Sequence, residues 1–359
     1  MRIGFVLLSR VADPIPSTRI AVLNILPHLQ MAGFETEVVF EPPSATETPD
    51  VSGVFQRIRE RRCSVVFFQK VRGPHVVNLV RELEAAGVRT VFLTCDLVDA
   101  EMCEATTATI VVTDYLRELY PAAMQHKVYV VHDGIERPDV VAARRPDNAG
   151  VNSPLRAVLV TSARVVDLPV LGLPPRWLHV TVVGNYPDEA DVQERLRRWR
   201  WALLEEEHWS ERLRMLRALV SRRIRRVPWS PIGVYEELSR ADVAIIPIDK
   251  SHDFGPNQPV WKLKSENRLT LKMAIGLPVV ATPIPAYEPV ITHGIDGFFA
   301  RTRSEWLEAL SKLRSAKLRR QIGSAARTRV LEAYSVQRQA KRLLAVIEDV
   351  VAKLPSTRD

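Results

Sequence analysis

Five polar residues, Lys262, Lys264, Ser265, Asn267 and Arg268, stand directly ahead of an apolar run with helical spacing through Leu269, Met273 and Ile275, which Gly276 stops. Cations and hydroxyls at the start of a helix suit a phosphate. The first backbone N–H groups and the positive end of the helix dipole meet the anion, and lysine or arginine adds full charge. Lys264, Ser265, Asn267 and Arg268 are therefore the candidate phosphate-binding residues, with Ser265 or Asn267 as the helix N-cap. Arginine brings a bidentate fork to phosphate oxygens that a point charge cannot offer. Past Gly276, residues 278–281 read as a short buried strand. Pro283 and Pro285 break it, and 287–292 reads as a helical turn closed by Gly294.

Such a cluster works only where elements hold it in place. Apolar blocks at 3–8, 35–40, 64–69, 90–93, 109–112 and 127–131 read as buried strands, and helical patterns lie between them at 54–62, 75–86 and 115–120. Ser17 and Thr18 read as caps of a helix that keeps apolar spacing up to Gly33. Residues 140–154 lose periodicity and form an interdomain linker. A second alternation follows, with strands at 156–161, 179–183, 225–227, 243–247 and 279–281 and helices at 189–200, 209–222 and 233–240. Helical segments at 304–313, 318–333 and 336–354 end the chain. Strands alternating with helices at this spacing predict an α/β fold with parallel sheets, in Rossmann-like domains. Ligands of such sheets bind beyond the carboxyl ends of the strands, which directs attention to the loops there. One of them, 249–257, is polar enough to line a ligand pocket: Asp249 and Asp253 supply acceptors, and Gly255 permits close backbone approach. Their spacing matches no metal-binding carboxylate motif.

The run from Lys264 through Gly276-Leu277-Pro278-Val279-Val280-Ala281, with Glu288 and Gly294-Ile295-Asp296-Gly297-Phe298 beyond it, resembles the donor half of retaining glycosyltransferases of the GT-B fold, group 1 or family 4-like. The resemblance implies two Rossmann-like domains whose parallel sheets face each other across a cleft. An acceptor-side domain would span 1–145 and a nucleotide-sugar donor domain 146–335, with a last helix in 336–359 crossing back. It implies transfer of a sugar from a nucleotide diphosphate-sugar to an acceptor hydroxyl, with retention and without metal. The acceptor would be a saccharide, a lipid-linked species or a small molecule. No cofactor is expected beyond the nucleotide-sugar co-substrate. The family's two donor-gripping glutamates fall on Leu263 and Leu271, while Asn267-Arg268 resembles a variant in which a basic residue near the helix start contacts the phosphates.

Other roles carry over position by position. Arg164, in the loop after 156–161, takes the place of an arginine that pairs with the donor diphosphate. Val227 and Trp229 fall on the nucleobase side, where the indole either stacks on the base or is a half-buried structural residue. Thr94-Cys95-Asp96 stands where many relatives place His-Asp, so Asp96 is a candidate catalytic or sugar-orienting carboxylate, or a cap of the next helix. His132-Asp133-Gly134-Ile135 stands where relatives read Asn-Gly-Ile/Val, which makes His132 a catalytic candidate or a structural histidine. Ser17 and Arg19 resemble the acceptor-side loop of polysaccharide glycosyltransferases. Two other classes share the architecture: sugar-nucleotide epimerases, which need acid and base groups in the cleft, and catalytically silent binding proteins.

Composition narrows the partners. With 359 residues the chain is long enough for two domains with ample cores. No apolar run approaches the roughly 20 residues needed to cross a bilayer, and 3–8 is too short for a secretory leader. Three cysteines, Cys63, Cys95 and Cys103, argue for a reducing cytoplasm and against a disulfide framework. A formal charge of +8 favours anionic partners. Its densest cluster, Arg222, Arg223, Arg225 and Arg226, follows Arg197, Arg198 and Arg200 with Trp199 and Trp201 interleaved. These are either solvated helix faces or a peripheral contact with an anionic membrane at its inner face. No nucleic-acid-binding signature accompanies the charge.

Overall fold

The computed structural model describes residues 1–136, 153–161, 174–184, 221–248 and 259–353, with single positions at 196, 200, 204, 209, 212 and 213. The helices expected at 189–200 and 209–222 and the linker at 140–154 fall mostly outside these. The chain divides into two units, the first formed by Met1–Glu136, Lys262–Asn267 and Glu332–Asp359, the second by Arg137–Trp261 and Arg268–Leu331.

In the first unit the apolar blocks become six parallel strands: β1 Arg2–Val6, β2 Glu35–Phe40, β3 Val65–Gln69, β4 Arg89–Leu93, β5 Ala108–Val111 and β6 Val128–Val130. Their order is β2-β1-β3-β4-β5-β6. Every residue of β3 is buried, as a parallel strand covered on both faces requires. On one face Phe5, Phe67, Val91 and Ile110 pack with Ala340, Leu343, Ile347 and Val350 of the helix Val336–Ala352. On the other, Val6, Phe68 and Phe92 meet Ile58, Val76, Val80 and Leu83 of the helices Val54–Glu60 and Pro74–Ala85. Each such aliphatic side chain contributes ~1.5–3 kcal/mol on burial.

The second unit holds β7 Leu155–Val160, β8 Leu178–Gly184, β9 Ile224–Pro228, β10 Val243–Ile246, β11 Val279–Ala281 and β12 Phe298–Phe299, in the order β12-β11-β10-β7-β8-β9, all parallel. Leu155, Ala157, Leu178 and Val180 pack beneath Trp306, Leu310 and Ile322. The helix Ala316–Tyr334 lies so close to the turn at Gly276 that a Cβ on Gly323 would stand 2.2 Å from the Gly276 carbonyl oxygen.

Local structure departs from expectation in a few places. The helix expected from Ser17 to Gly33 is three pieces: Pro16–Thr18, a π-helical turn Arg19–Leu23, and Leu26–Met31. Pro27 has no N–H to carry an unbroken ladder. Ser17 and Thr18 lie inside the first piece, whose N-cap position is Ile15, so neither caps it. The helical turn expected at 287–292 is present, Ile291 N–H donating to the Tyr287 carbonyl oxygen at 3.1 Å, and Pro289, which has no N–H, limits it to a turn. The helix Ala100–Ala105, capped by Asp99 through Met102 N–H at 2.9 Å, and β12 had no counterpart in the sequence reading. No helix among the described residues is long and apolar enough to cross a membrane.

Candidate functional site

In the first unit the sheet order reverses between β1 and β3, and the loops leaving their carboxyl ends are tied together. Gln69 Oε1 accepts from Leu8 N–H at 3.2 Å and from the Thr18 hydroxyl at 2.9 Å, and Ser9 Oγ donates to Thr18 Oγ1 at 2.9 Å. The residue after Gln69 is Lys70, held in the left-handed region at φ 57°. A non-glycine residue keeps that conformation only where its surroundings over-determine it. Here they do: the largely buried Lys70 ammonium lies 2.7 Å from Asp96 and 3.3 Å from Glu47. Burial works against its charge, yet Asp96, Cys95 and Glu47 more than offset this and raise its pKa. Glu47 in turn holds Arg72 at 2.8 Å, and Arg72 reaches Asp99 at 3.5 Å.

Asp96 is thus the counter-ion of Lys70, and the capping role open to it belongs to Asp99 instead. Cys95, where relatives carry histidine, is an inert thiol: burial first, then Asp96 and Asp133, push its pKa well up.

Beyond β6 lies the second half of the cluster. His132 Nδ1 is 2.8 Å from the Val112 carbonyl oxygen and 3.1 Å from Glu266 Oε1. Both neighbours are acceptors, which assigns a proton to Nδ1 and leaves Nε2 as the titrating nitrogen. Burial disfavours the imidazolium, but Glu266 and Val112 outweigh it and raise the His132 pKa. Its ring is tilted against Tyr334 at 4.9 Å, and its backbone N–H donates to Gln339 at 3.2 Å. Next to it Asp133 is buried, and that burial together with the Glu266 charge pushes its carboxyl up to about 7, against the opposing hydrogen bond from Ser265. The Ser265 hydroxyl is therefore committed to Asp133. The helix it was expected to cap begins at Asn267, so neither Ser265 nor Asn267 lies immediately before it; Glu266 does.

Arg19, in the π-helical turn, pairs with Glu136 at 2.6 Å, and Ser17 lies two residues ahead of it. His132, with its raised pKa, and Asp133, with its carboxyl pushed up to about 7, stand in the same unit as the cations Lys70 and Arg19 and can move a proton beside an anionic or polyhydroxylated ligand.

In the second unit the order reverses between β7 and β10, so the loops after Val160 and Ile246 leave from adjacent strands. Arg164 in the first of these, and Asp249, Asp253 and Gly255 in the second, lie outside the described residues. Val227, near the carboxyl end of β9, is partly buried. Trp229 follows it with 43% of its surface exposed, its N–H donating to Gly184 O at 2.8 Å. That favours an available indole face over a structural tryptophan. Arg268 is exposed on the helix Asn267–Ala274, while Lys264, Ser265 and Asn267 belong to the first unit. One turn on, Lys272 is buried and donates from Nζ to the Arg268 carbonyl oxygen at 2.7 Å. Burial, then the Arg268 charge, lower its pKa to about 7. Among the described residues no group of three or more His, Cys, Asp or Glu is placed to hold a metal ion.

Sequence reasoning did not single out Lys70, Asp133, Glu266 or Lys272. Signals existed for two of them. Lys70 follows the strand block Val65-Val66-Phe67-Phe68-Gln69, and Glu266 is the lone acid inside the cationic run.

Residues 175–345 match the model of the glycosyl transferase-like family Glyco_trans_1_2. No curated protein matches the chain in sequence. Among solved structures it resembles a glycosyltransferase from Rickettsia africae, 13% identical with a TM-score of 0.69 over 98% of this chain and 99% of that one. It also resembles Anabaena HepE in complex with UDP, at 11% identity and a TM-score of 0.65 over 97% of this chain and 100% of HepE. Sucrose-phosphate synthase from Thermosynechococcus elongatus is 12% identical, with a TM-score of 0.64 over 98% of this chain and 99% of that one. By these likenesses the chain has the GT-B fold, and its residues 175–345 match a glycosyl transferase-like family.

Proposed function

We propose that the chain moves a sugar from a nucleoside diphosphate-sugar to an acceptor hydroxyl, with retention and without a metal ion. The observation that carries this reading is the strand order of the second unit. The strand order reverses where β7 and β10 adjoin, and beyond the carboxyl ends of the strands at such a point is where open α/β sheets hold nucleotides. Trp229, exposed near the end of β9, offers a face for the base, and Arg268 offers a guanidinium fork to the diphosphate, with Arg164 as a second arginine for it. Charge that develops on the leaving oxygen would be met by these cations and by the helix start. Asp249, Asp253 and Gly255 would border the sugar.

The first unit would present the acceptor, a saccharide, lipid-linked species or small molecule, near Ser17 and Arg19, with His132 and Asp133 handling its proton. Asp96, paired with Lys70, would act as a sugar-orienting group. A cytoplasmic setting, with peripheral contact to an anionic membrane, fits the basic composition. HepE has been crystallised with UDP and with UDP-glucose, which makes uridine donors the first to try.

A second reading, sugar-nucleotide epimerisation, is favoured by one observation, the adjacent His132 and Asp133, an imidazole and a carboxyl both with raised pKa. Incubation with a panel of nucleotide sugars separates the two. Released nucleoside diphosphate supports transfer; an altered sugar on an intact nucleotide supports epimerisation; binding without conversion refutes both. Arg268→Ala should weaken nucleoside diphosphate binding at least tenfold, and unchanged affinity would remove Arg268 from the site.

A further inference from the structure

A parallel sheet covered on both faces ordinarily runs apolar on both. The second unit breaks that rule on one half-face. The strand register puts Arg156 beside His179 and Thr181 beside Arg225, on the side opposite the apolar Leu155, Leu178, Val180 and Ile224. These polar residues line a cavity of about 360 Å³, closed by Arg222, Arg223 and Arg240. Arg240 stands in the last turn of the helix Gly233–Arg240. All of this is at the amino ends of β7, β8 and β9. Strands of this length carry their carboxyl ends roughly 15–20 Å away, so the cavity is separate from the crevice assigned to the donor.

Among the described residues, five arginines here meet three carboxylates, Glu236, Glu237 and Asp242. The two buried acids act as clamps. Asp242 accepts from Arg156 Nε at 3.0 Å and Nη2 at 2.7 Å, while Glu237 takes Arg225 and Arg240, the latter at 3.1 Å. Arg223 donates to the Pro174 carbonyl oxygen at 2.9 Å, and Arg222 is exposed at the rim. Guanidinium groups fixed by their neighbours lose little freedom when they bind, and a surplus of them favours a compact, multiply charged oxyanion.

We propose that this cavity is a second anion site, which takes a phosphate ester carried either by a soluble metabolite or by a lipid headgroup. The test uses the full-length Arg268→Ala chain, so that the donor cluster contributes least, and compares it with the same chain carrying Arg222→Glu and Arg240→Gln. Both alter exposed side chains, and Arg222→Glu alone serves as the control if the pair melts early. One arm titrates inorganic pyrophosphate by calorimetry; the other sediments the protein with phosphatidylcholine vesicles containing phosphatidylglycerol. A loss of at least tenfold in the first arm assigns a soluble ligand, and in the second a headgroup. Equal binding by both chains in both arms, or no binding by the parent in either, overturns the proposal. Neither result depends on whether Arg268 contacts the sugar donor.

Discussion

Replacing Asp133 by Asn should change how stability depends on pH, by an amount the structure fixes. The carboxyl is raised from 3.8 to about 7 by burial and by Glu266, so the native state keeps its proton where the unfolded chain has lost it. A native state that binds more protons loses stability as pH rises. At 1.36 kcal/mol per pH unit, a shift of this size costs about 4 kcal/mol by pH 7, of which about 2 kcal/mol develops between pH 5 and pH 7. The cost is absent below about pH 4 and stops growing above about pH 8. An amide keeps the shape and the hydrogen-bonding capacity toward Ser265 but does not titrate. Urea unfolding of the wild type and of Asp133→Asn at pH 5, 6, 7 and 8, followed by a probe of the first unit, gives the difference directly. The variant should gain about 2 kcal/mol on the wild type between pH 5 and 7. His132, whose native pKa is also raised, contributes stability that is lost as pH rises through that value in both proteins. Parallel pH profiles would refute the claim that Asp133 is held protonated.

Further outcomes follow from the second unit. Lys272 has the opposite sign: its native pKa is lowered to about 7, so folding at pH 7 carries a penalty of ~4 kcal/mol that vanishes above about pH 10. Lys272→Met should raise the melting temperature at neutral pH, and the gain should shrink as pH approaches 10; a destabilised variant would show that the amine is needed. For Gly323→Ala, helix propensity alone favours alanine by about 1 kcal/mol. The 2.2 Å approach to the Gly276 carbonyl reverses this, and a loss of about 3 kcal/mol is expected in denaturant unfolding; a stability equal to wild type would mean that the helix can move aside. Lys70→Met removes the counter-ion of Asp96 and should slow turnover while leaving nucleoside diphosphate affinity unchanged, as isothermal titration would show.

The sheets were legible because parallel strands buried on both faces are written as unbroken apolar blocks, such as Val65-Val66-Phe67-Phe68. β12 escaped notice because two phenylalanines make too short a block to carry a period. The broken first helix was signalled by Pro27, which the apolar spacing of Ile20, Leu23, Leu26 and Leu29 outweighed. The site was harder to see. His132 and Glu266 stand over a hundred positions apart, and nothing local in either segment announces the partner. The cationic run ahead of Leu269 was read as uniformly phosphate-seeking, yet its acid is the residue that turns toward His132, and its serine toward Asp133. Side-chain pairing of this kind is decided by tertiary placement, which composition and periodicity do not encode.

The first sheet borrows its covering layer from the far end of the polypeptide. Phe5, Phe67 and Ile110 face Leu343, Ile347 and Val350, so a nascent chain emerging from the ribosome carries an uncovered apolar surface for some two hundred positions before its lid is made. Synthesis and folding therefore run in different orders: the later-encoded sheet can finish while the earlier one waits. A stop codon ahead of the last helix would leave an aggregation-prone sheet rather than a smaller enzyme.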